Sequence, residues 1–283
     1  MDGIVLINKQ KGYTSHDIVS KIRKKLNIKK VGHAGTLDPL ATGILPILIG
    51  KGTKISKYLI EHDKTYIATI KLGIKTTTGD LEGEIIKKDD NININDNIIK
   101  NVLETFIGKQ KQKPPMYSAI KINGKKLYEY ARSGTSVEII PRDIEVFDIF
   151  LNNYDKEKQE IQITAHVSKG TYMRTLCEDI TEKLGTVGTM AELERIKLNQ
   201  FSIEDAVYIE NLQNKDIISI ETIFENTPKI ILDDMILQKL LDGVLIKKDL
   251  PDNLYRIYNI KKEFIGLGIL KDNFLKRDVI VYN

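Results

Sequence analysis

The chain has 283 residues, of which 41% are apolar and 29% charged, a composition typical of folded soluble proteins and unlike disordered or membrane-embedded chains. The N-terminus lacks a basic region followed by a long apolar run, and the strongest apolar run, ILPILIG, is too short to cross a bilayer. A single cysteine excludes an internal disulfide, and the four histidines show no metal-site spacing. We therefore expect a cytoplasmic protein that binds neither membrane nor metal.

Positive charge is unevenly distributed along the chain. Residues 1–57 carry eleven Lys or Arg against three Asp, residues 100–142 carry nine against three Glu, and residues 204–252 carry eleven acidic against five basic residues. Neutralisation of phosphates supplies most of the non-specific affinity for nucleic acid, so the two basic regions favour a polyanionic partner. A solvated lysine-rich surface explains the same distribution, and composition alone does not decide between the two.

The first half of the chain predicts strands and helices without a regular βαβ rhythm. GIVLIN, residues 3–8, predicts a short buried strand, and a helix capped near Thr14 or Ser15 follows it with one apolar face. KTYIATIKLG alternates in the way of a half-buried strand. A polar loop at 87–97 then leads to a helix near 97–106.

The second half of the chain adds a hairpin, two strands and a helix. The Asn-Gly pair at 123–124 predicts a tight turn, and the helix after it ends at a glycine. IEVFDIFL and EIQITAHVSKG predict two strands, followed by a helix from Thr171 or Tyr172 through Leu184. Composition changes near 222–230, where a proline separates an acidic region from a short β-rich tail. This order favours a mixed α/β sheet over a doubly wound parallel one.

The segment GHAGTLDPLATGILP, residues 32–46, places one carboxylate between glycines and directly before a proline. Pro39 fixes its own φ and restricts Asp38 to extended conformations, so a rigid turn holds the carboxylate. A phosphate loop is excluded because the glycine spacing is too long and Gly52 stands where Ser or Thr is needed. No second aspartate follows two residues later, which leaves a divalent-ion site with little support. Alone, such an Asp-Pro pair is most often an ordinary turn.

The segment SKGTYMRTL, residues 168–176, places Tyr172 and Arg174 two residues apart. If the segment is extended, both side chains point to the same side, where a guanidinium and a phenol suit a carboxylate or a stacked base. Taken singly, these two residues, like Tyr66 and His33, are more often structural than functional.

Taken together, GHAGTLDPLATGILP, KTYIATIKLG, KPPMYSAIKINGKKLYEYAR and SKGTYMRTL resemble the TruB family of bacterial tRNA pseudouridine synthases, which act on uridine 55 of the T loop. The resemblance runs in order from residue 3 to about 201. It implies an α+β pseudouridine synthase fold, with a mixed, largely antiparallel central sheet in residues 1–225 and a small PUA-like RNA-binding β domain in residues 226–283. It also implies an enzyme that binds the T arm of tRNA without a cofactor, and nothing demands more than a monomer.

Three positions carry the catalytic residues that the resemblance implies. Asp38 is the nucleophile, Arg174 pairs with its carboxylate and makes its burial tolerable, and Tyr66 stacks on the target base and is a candidate for removing the C5 proton. Isomerisation breaks the C1′–N1 bond and remakes it through C5 without redox change, so no cofactor is needed. Attack of Asp38 on ribose C1′, base departure through a glycal-like species and addition of Asp38 to uracil C6 all stay open.

Three further positions carry implied contacts to the substrate. His33 helps to hold the loop from which the base has flipped, and Tyr172 and Leu193 line the pocket that keeps the detached uracil close. Flipping is required because the target atom is inaccessible in a stacked loop.

The chain departs from the family pattern at three positions. Gln10 stands where proline is expected, which predicts a less rigid first loop, and Glu194 replaces a basic residue, so no RNA contact is expected there. Asn199 replaces a glycine, and because Asn tolerates left-handed backbone the turn is expected to survive. Competing interpretations are an RNA-binding module without the chemistry, a guide-dependent pseudouridine synthase, and an unrelated aspartate-dependent hydrolase.

Overall fold

A computed structural model describes residues 2–135 and 137–282 as strands and helices in irregular alternation. The earlier elements are β1 (Gly3–Lys9), α1 (Ser15–Leu26), β2 (Val31–His33), β3 (Thr42–Ile49), α2 (Ser56–Ile60), β4 (Lys64–Leu72), β5 (Ile74–Thr76), β6 (Ile85–Lys88), α3 (Asp96–Glu104), β7 (Gly108–Gln112), β8 (Lys121–Ile122) and β9 (Lys125–Lys126). The later elements are α4 (Leu127–Arg132), β10 (Arg142–Asp155), β11 (Glu160–Val167), α5 (Met173–Lys183), β12 (Gly188–Leu198), β13 (Phe201–Ser202), α6 (Ile220–Ile223), β14 (Lys229–Leu232), α7 (Asp234–Leu241), β15 (Ile246–Lys247), β16 (Asn253–Asn259), β17 (Phe264–Lys271) and β18 (Phe274–Ile280). Short 3₁₀ helices lie at Gly50–Ile55, Ile203–Asp205, Ile209–Asn211 and Asn214–Asp216.

The central sheet has nine strands and confirms the predicted mixed, largely antiparallel arrangement. Its main path runs in the order β1, β3, β12, β4, β11, β10 and β7, while β2 pairs with β3 and β13 pairs with β12. Within the described residues, its strand pairs are antiparallel except for β12 with β3, where Arg195 lies opposite Gly43. This parallel contact brings the end of the GHAGTLDPLATG segment beside a strand from far along the chain.

Helix α1 begins at the predicted position. Thr14 is its N-cap: the backbone N–H of Asp17 donates to Thr14 Oγ1 at 3.1 Å, and the backbone N–H of Thr14 donates to the Asp17 carboxylate at 2.8 Å. This reciprocal capping box satisfies two donors that the first helical turn would otherwise leave unpaired. Ile18, Val19 and Ile22 are buried in the main hydrophobic core, as the apolar spacing predicts.

The segment that contains Arg174 is helical and not extended. Tyr172 is the N-cap of α5, with φ −96° and ψ 110°, and Arg174 is the second residue of the helix. The preceding strand ends at Val167, and Gly170, with φ 81°, turns the chain out of the sheet before the helix starts. The strand spacing considered for Tyr172 and Arg174 is therefore wrong, whereas the helix predicted over 172–184 is confirmed.

Two predicted turns are confirmed by their backbone angles. Asn123 and Gly124 have φ 50° and 82° and connect the two strands of the β8–β9 hairpin, as an Asn-Gly pair does in a tight turn. Asn199 has φ 51° in the turn between β12 and β13, so Asn holds the left-handed conformation in place of a glycine. The predicted loop at 87–97 is shorter than expected, because β6 extends to Lys88.

A second sheet of five strands, ordered β14, β16, β17, β18 and β15, follows the central sheet and confirms the expected small C-terminal β-structure. The two sheets share a hydrophobic cluster, in which Leu267 and Val279 pack with Ile4 and Leu6. Lys54 Nζ also donates to the carbonyl of Ile280 at 2.7 Å. None of the described helices combines the length and the apolar character needed to cross a membrane.

Candidate active site

An open cavity of about 740 Å³ brings together residues from seven separate segments of the chain. Asp38, Tyr66, Tyr172, Arg174 and Leu193 all line it, although they are spread over more than 150 residues of sequence. His33 is not among its lining residues. The cavity is therefore the candidate site for the chemistry considered above.

The loop that carries Asp38 is held by backbone contacts from the N-terminal part of the chain. Ser15 Oγ accepts from the N–H of Leu37 at 3.0 Å and lies 3.2 Å from its carbonyl, and the N–H of Gly12 donates to the carbonyl of Pro39 at 2.8 Å. These bonds pin the residues on both sides of Asp38. The carboxylate itself remains 38% exposed and faces the cavity, so the turn presents a partly solvated anion in one position.

Lys9 supports the same loop from below the surface. Its side chain is fully buried, and Nζ donates to the carbonyls of Gln10, Tyr13 and Pro39 at 3.2, 2.7 and 3.2 Å. Burial lowers the pKa of Lys9 to about 8, and the charge of Asp38 opposes this shift. The Gln10 carbonyl is thus part of a hydrogen-bonded cluster around Lys9. This cluster restrains the first loop, which was expected to be less rigid because Gln10 stands where the family has proline.

Arg174 uses all three guanidinium nitrogens. Nε lies 3.1 Å from Oδ2 of Asp38, Nη1 donates to the carbonyl of Thr78 at 3.1 Å, and Nη2 donates to the carbonyl of Tyr117 at 2.9 Å. A second carboxylate, Asp80, lies 3.7 Å from Nη1. Because the planar fork is bonded on every side, the guanidinium is held in one orientation toward Asp38.

Asp80 cannot be predicted from the sequence, because it belongs to none of the motifs described above. It is 4% exposed, and its Oδ1 accepts from the hydroxyl of Thr78 at 2.5 Å and from the N–H of Glu82 at 3.1 Å. These partners make its burial tolerable and orient it toward Arg174. Since Asp80 is enclosed and Asp38 is not, Asp38 is the carboxylate of this network that a substrate can reach.

Three side chains form the walls of the cavity beside this network. Tyr66 on β4 and Leu193 on β12 are 7% and 8% exposed and come from adjacent strands, with Leu193 opposite Ala68 in the ladder. Tyr172 is held by Gln112, whose side-chain amide accepts from the Tyr172 N–H at 2.8 Å and donates to its carbonyl at 3.0 Å. The walls therefore offer aromatic and aliphatic surface of a size that suits a planar base.

Arg195 is the reason that two positions near Asp38 require glycine, and no pattern in the sequence predicts this role. It is 1% exposed, Nε donates to the carbonyl of Ile44 at 2.8 Å, and Nη2 donates to the carbonyl of Gly35 at 3.0 Å. A Cβ on Gly43 would lie 2.3 Å from the Arg195 carbonyl oxygen, and one on Gly35 would lie 3.2 Å from Nη1. Gly35 therefore leaves room for the buried guanidinium, and Gly43 lets the backbone of β3 approach the backbone of Arg195.

His33 lies at the end of β2, opposite Ile47 of β3 and outside the cavity lining. Its Nδ1 is buried and has no hydrogen-bond partner among the described residues. Burial, together with the charges of His16 and Arg195, lowers the pKa of His33 below its usual value and so favours the neutral ring. The structure thus places His33 next to the Asp38 loop and not within the group formed by the other predicted residues.

Within residues 2–135 and 137–282, no group of three or more His, Cys, Asp or Glu side chains is arranged to hold a metal ion. The chemistry that the arrangement itself can supply is a positioned carboxylate, a guanidinium bonded to it, and an aromatic wall.

Comparisons with known proteins identify the family of the chain. The sequence matches "TruB family pseudouridylate synthase (N terminal domain)" over residues 23–173 and "tRNA pseudouridylate synthase B C-terminal domain" over residues 174–243. The proteins named tRNA pseudouridine synthase B from Clostridium kluyveri and Aquifex aeolicus are 41% and 39% identical, covering 96% and 97% of this chain and 96% and 98% of their own.

Solved structures share the fold at lower identity. An H/ACA RNP bound to a substrate RNA containing 2′-deoxyuridine aligns with TM-score 0.71 and 22% identity over 99% of this chain and 85% of that chain. A Cbf5-Nop10-Gar1 complex aligns with TM-score 0.69 and 24% identity over 99% of this chain and 84% of that chain. With both family descriptions matched and relatives about 40% identical along nearly their whole length, the chain belongs to the TruB family of pseudouridylate synthases.

Proposed function

We propose that the protein is a tRNA pseudouridine synthase that isomerises uridine 55 of the T loop to pseudouridine. The observation that carries the proposal is the contact of 3.1 Å between Arg174 Nε and Asp38 Oδ2 in a cavity walled by Tyr66 and Leu193. Membership of the TruB family supports the reaction, and the relatives named tRNA pseudouridine synthase B support the substrate.

In this proposal the target uridine leaves the stacked T loop and enters the cavity. Extrusion of a base costs a few kcal/mol, and stacking on one aromatic ring returns about 1–3 kcal/mol, which Tyr66 would supply. Asp38 then acts as an ionised nucleophile at ribose C1′ or uracil C6, or assists departure of the base, while Arg174 holds its carboxylate in place. The geometry is compatible with each of these routes.

The walls of the cavity serve the next step, in which the detached base turns and re-attaches through C5. Tyr66, Tyr172 and Leu193 line the cavity and would pack against the base, which would keep it near the ribose. Tyr66 is the candidate for removing the C5 proton, because it would lie against the ring that carries it. His33 would act from outside the cavity, on the RNA loop that the base has left.

Exposed lysines beside the cavity would hold the tRNA backbone. Lys109 and Lys111 on β7, and Lys121 and Lys125 in the β8–β9 hairpin, are all exposed. Such contacts position a folded RNA without reading its sequence. We further propose that residues 226–283 act as a small PUA-like RNA-binding domain and that the protein works as a cytoplasmic monomer without metal or cofactor.

Release of tritium from C5-labelled uridine in an unmodified tRNA transcript tests the reaction. Wild-type protein should release about one equivalent per tRNA, and Asp38→Asn should release none while binding tRNA within a few fold of wild type. Asp148→Asn, which alters an exposed carboxylate on β10, is the matched control and should turn over normally. A transcript with cytidine at position 55 should give no release.

The same assay separates the alternatives. Turnover in Asp38→Asn would overturn the nucleophile assignment, and tight tRNA binding without release by wild-type protein would favour an RNA-binding module. Affinity measured against salt concentration should fall steeply, because the lysines are proposed to neutralise phosphates. A flat salt profile would instead mean that those lysines are merely solvated.

A further inference from the structure

Ser118 lines the cavity and carries a buried hydroxyl that has no partner among the described residues. The residue lies between β7 and β8, is 6% exposed, and lines the cavity together with Asp38 and Tyr66. Its Oγ has no hydrogen-bond partner among the residues that the structure describes. Buried polar groups are nearly always paired, since leaving one unpaired costs about 1–3 kcal/mol. An orphaned hydroxyl on a residue that lines an open cavity is therefore a group that a bound molecule can satisfy once the side chain turns about its Cα–Cβ bond.

The backbone on both sides of this hydroxyl is held in place. The N–H of Tyr128 donates to the carbonyl of Ser118 at 3.2 Å, and the carbonyl of Tyr117 accepts from Arg174 Nη2 at 2.9 Å. Ser118 is thus tied to α4 on one side and to the guanidinium that contacts Asp38 on the other. The hydroxyl rotates about one bond, but the residue that carries it does not leave the cavity wall.

Two cationic groups of the cavity wall, Arg174 and Lys64, already have partners. Arg174 bonds through all three nitrogens, and Nζ of the buried Lys64 donates to the carbonyls of Ile60 and His62. A phosphate at Ser118 would share the cavity wall with the Asp38 carboxylate, beside a guanidinium that is already bonded through all three nitrogens, so electrostatic repulsion disfavours it. A neutral ligand with hydrogen-bonding groups on one edge fits this position better.

Uracil has such an edge, formed by O2, N3–H and O4. We propose that Ser118 Oγ hydrogen-bonds this edge of the flipped uracil, and that the hydroxyl is unpaired in the free protein because the base is its partner; the inference rests on the proposed function. A hydroxyl both donates and accepts, so it can pair with either oxygen or with N3–H.

The chemistry of the reaction favours this contact over a contact elsewhere on the ring. When the detached base turns about its N3–C6 axis, N1 exchanges place with C5 and O2 exchanges place with O4, while N3–H stays where it was. The edge therefore presents the same order of acceptor, donor and acceptor before and after the turn. A hydroxyl that faces it keeps a partner throughout and holds the base between bond cleavage and re-attachment.

A binding cycle tests the contact without requiring turnover. Ser118→Ala is made in the Asp38→Asn background, and the affinity of both proteins is measured for T-arm RNA with uridine or an abasic nucleotide at the target position. Loss of one neutral hydrogen bond should weaken uridine RNA about three- to tenfold and leave abasic RNA within about twofold. Ser133→Ala is the matched control, because that exposed hydroxyl, in the same part of the chain, donates to the Tyr130 carbonyl at 3.0 Å; it should weaken neither RNA.

A second measurement separates a substrate contact from a structural role. Removing an orphaned hydroxyl should leave the melting temperature of the free protein unchanged or higher, so a lower melting temperature for Ser118→Ala would overturn the proposal. Equal weakening for uridine and abasic RNA, or none with uridine RNA, would overturn it as well. Tritium release by wild-type protein from the same RNA is measured in parallel. If no tritium is released, the proposed function is overturned. If tritium is released but Ser118→Ala causes no uridine-dependent loss of affinity, the Ser118 assignment alone is overturned.

Discussion

Replacing Gly43 with alanine tests the close approach of β3 and β12 beneath the Asp38 loop. Gly43 has φ 98°, and its added Cβ would lie 2.3 Å from the carbonyl oxygen and 2.8 Å from the nitrogen of Arg195. Both atoms belong to the backbone, so no side-chain rotation relieves the overlap. The strands must move apart, and the Arg195 hydrogen bond to Ile44 must lengthen with them.

The magnitude follows from two terms. Left-handed backbone at a non-glycine residue costs about 1–2 kcal/mol. Overpacking against a rigid neighbour costs about 1–3 kcal/mol. We therefore expect Gly43→Ala to lower the free energy of unfolding by about 2–5 kcal/mol, a large share of the roughly 5–15 kcal/mol typical of a folded protein.

Gly185→Ala is the matched control. Gly185 has φ 82°, and a Cβ there would have no heavy atom of the described chain within 4 Å, so only the backbone strain of about 1–2 kcal/mol applies. Urea denaturation measures both variants, and an unchanged slope shows that the change lies in stability. If Gly43→Ala loses no more stability than Gly185→Ala, the two strands do not approach each other as closely as described.

Three further predictions address groups around the cavity. The folded pKa of Lys9, about 8, lies below the usual 10.5, so between these pH values the unfolded chain binds more protons than the folded one. The contribution of Lys9 to stability therefore rises as pH rises. The unfolding free energies of wild type and Lys9→Gln should diverge by up to about 3 kcal/mol across that range. Gln112→Ala should lower the melting temperature and slow turnover, because both backbone bonds to Tyr172 are lost; normal turnover with a lowered melting temperature would show that Tyr172 needs no such support. Asp80→Asn keeps the size of the side chain but removes a charge beside Arg174, so single-turnover isomerisation should slow at least about tenfold with tRNA affinity nearly unchanged, and wild-type rates would count against the network.

Local signals in the sequence suffice for many elements of the fold. The capping box at Thr14, the Asn-Gly turn at 123–124 and the left-handed Asn199 each depend on a few neighbouring residues, and each is present in the structure. The segment at Arg174 shows the limit of such reasoning, because a two-residue spacing is compatible with a strand until Gly170 is known to turn the chain out of the sheet.

The supporting residues of the candidate site cannot be read in the same way. Asp80 faces Arg174 across 94 residues of sequence, and Arg195 bonds to Gly35 across 160. No periodicity or turn chemistry links residues so far apart. Ser118 is harder still to predict, because its distinguishing property is a missing partner, which exists only once the surrounding backbone has enclosed it. Sequence patterns thus identify the groups proposed to react, while the groups that orient them depend on tertiary contacts.

The hydrophobic cluster shared by the two sheets bears on how the protein can be divided. Leu267 and Val279 of the second sheet contribute to the same apolar interior as Ile4 and Leu6 of β1. Cutting the chain before β14 would uncover part of the apolar face to which Ile4 and Leu6 belong, and an exposed apolar patch promotes aggregation. The two parts are therefore expected to melt in a single cooperative transition and to have been constrained to change together, although one carries the cavity and the other does not.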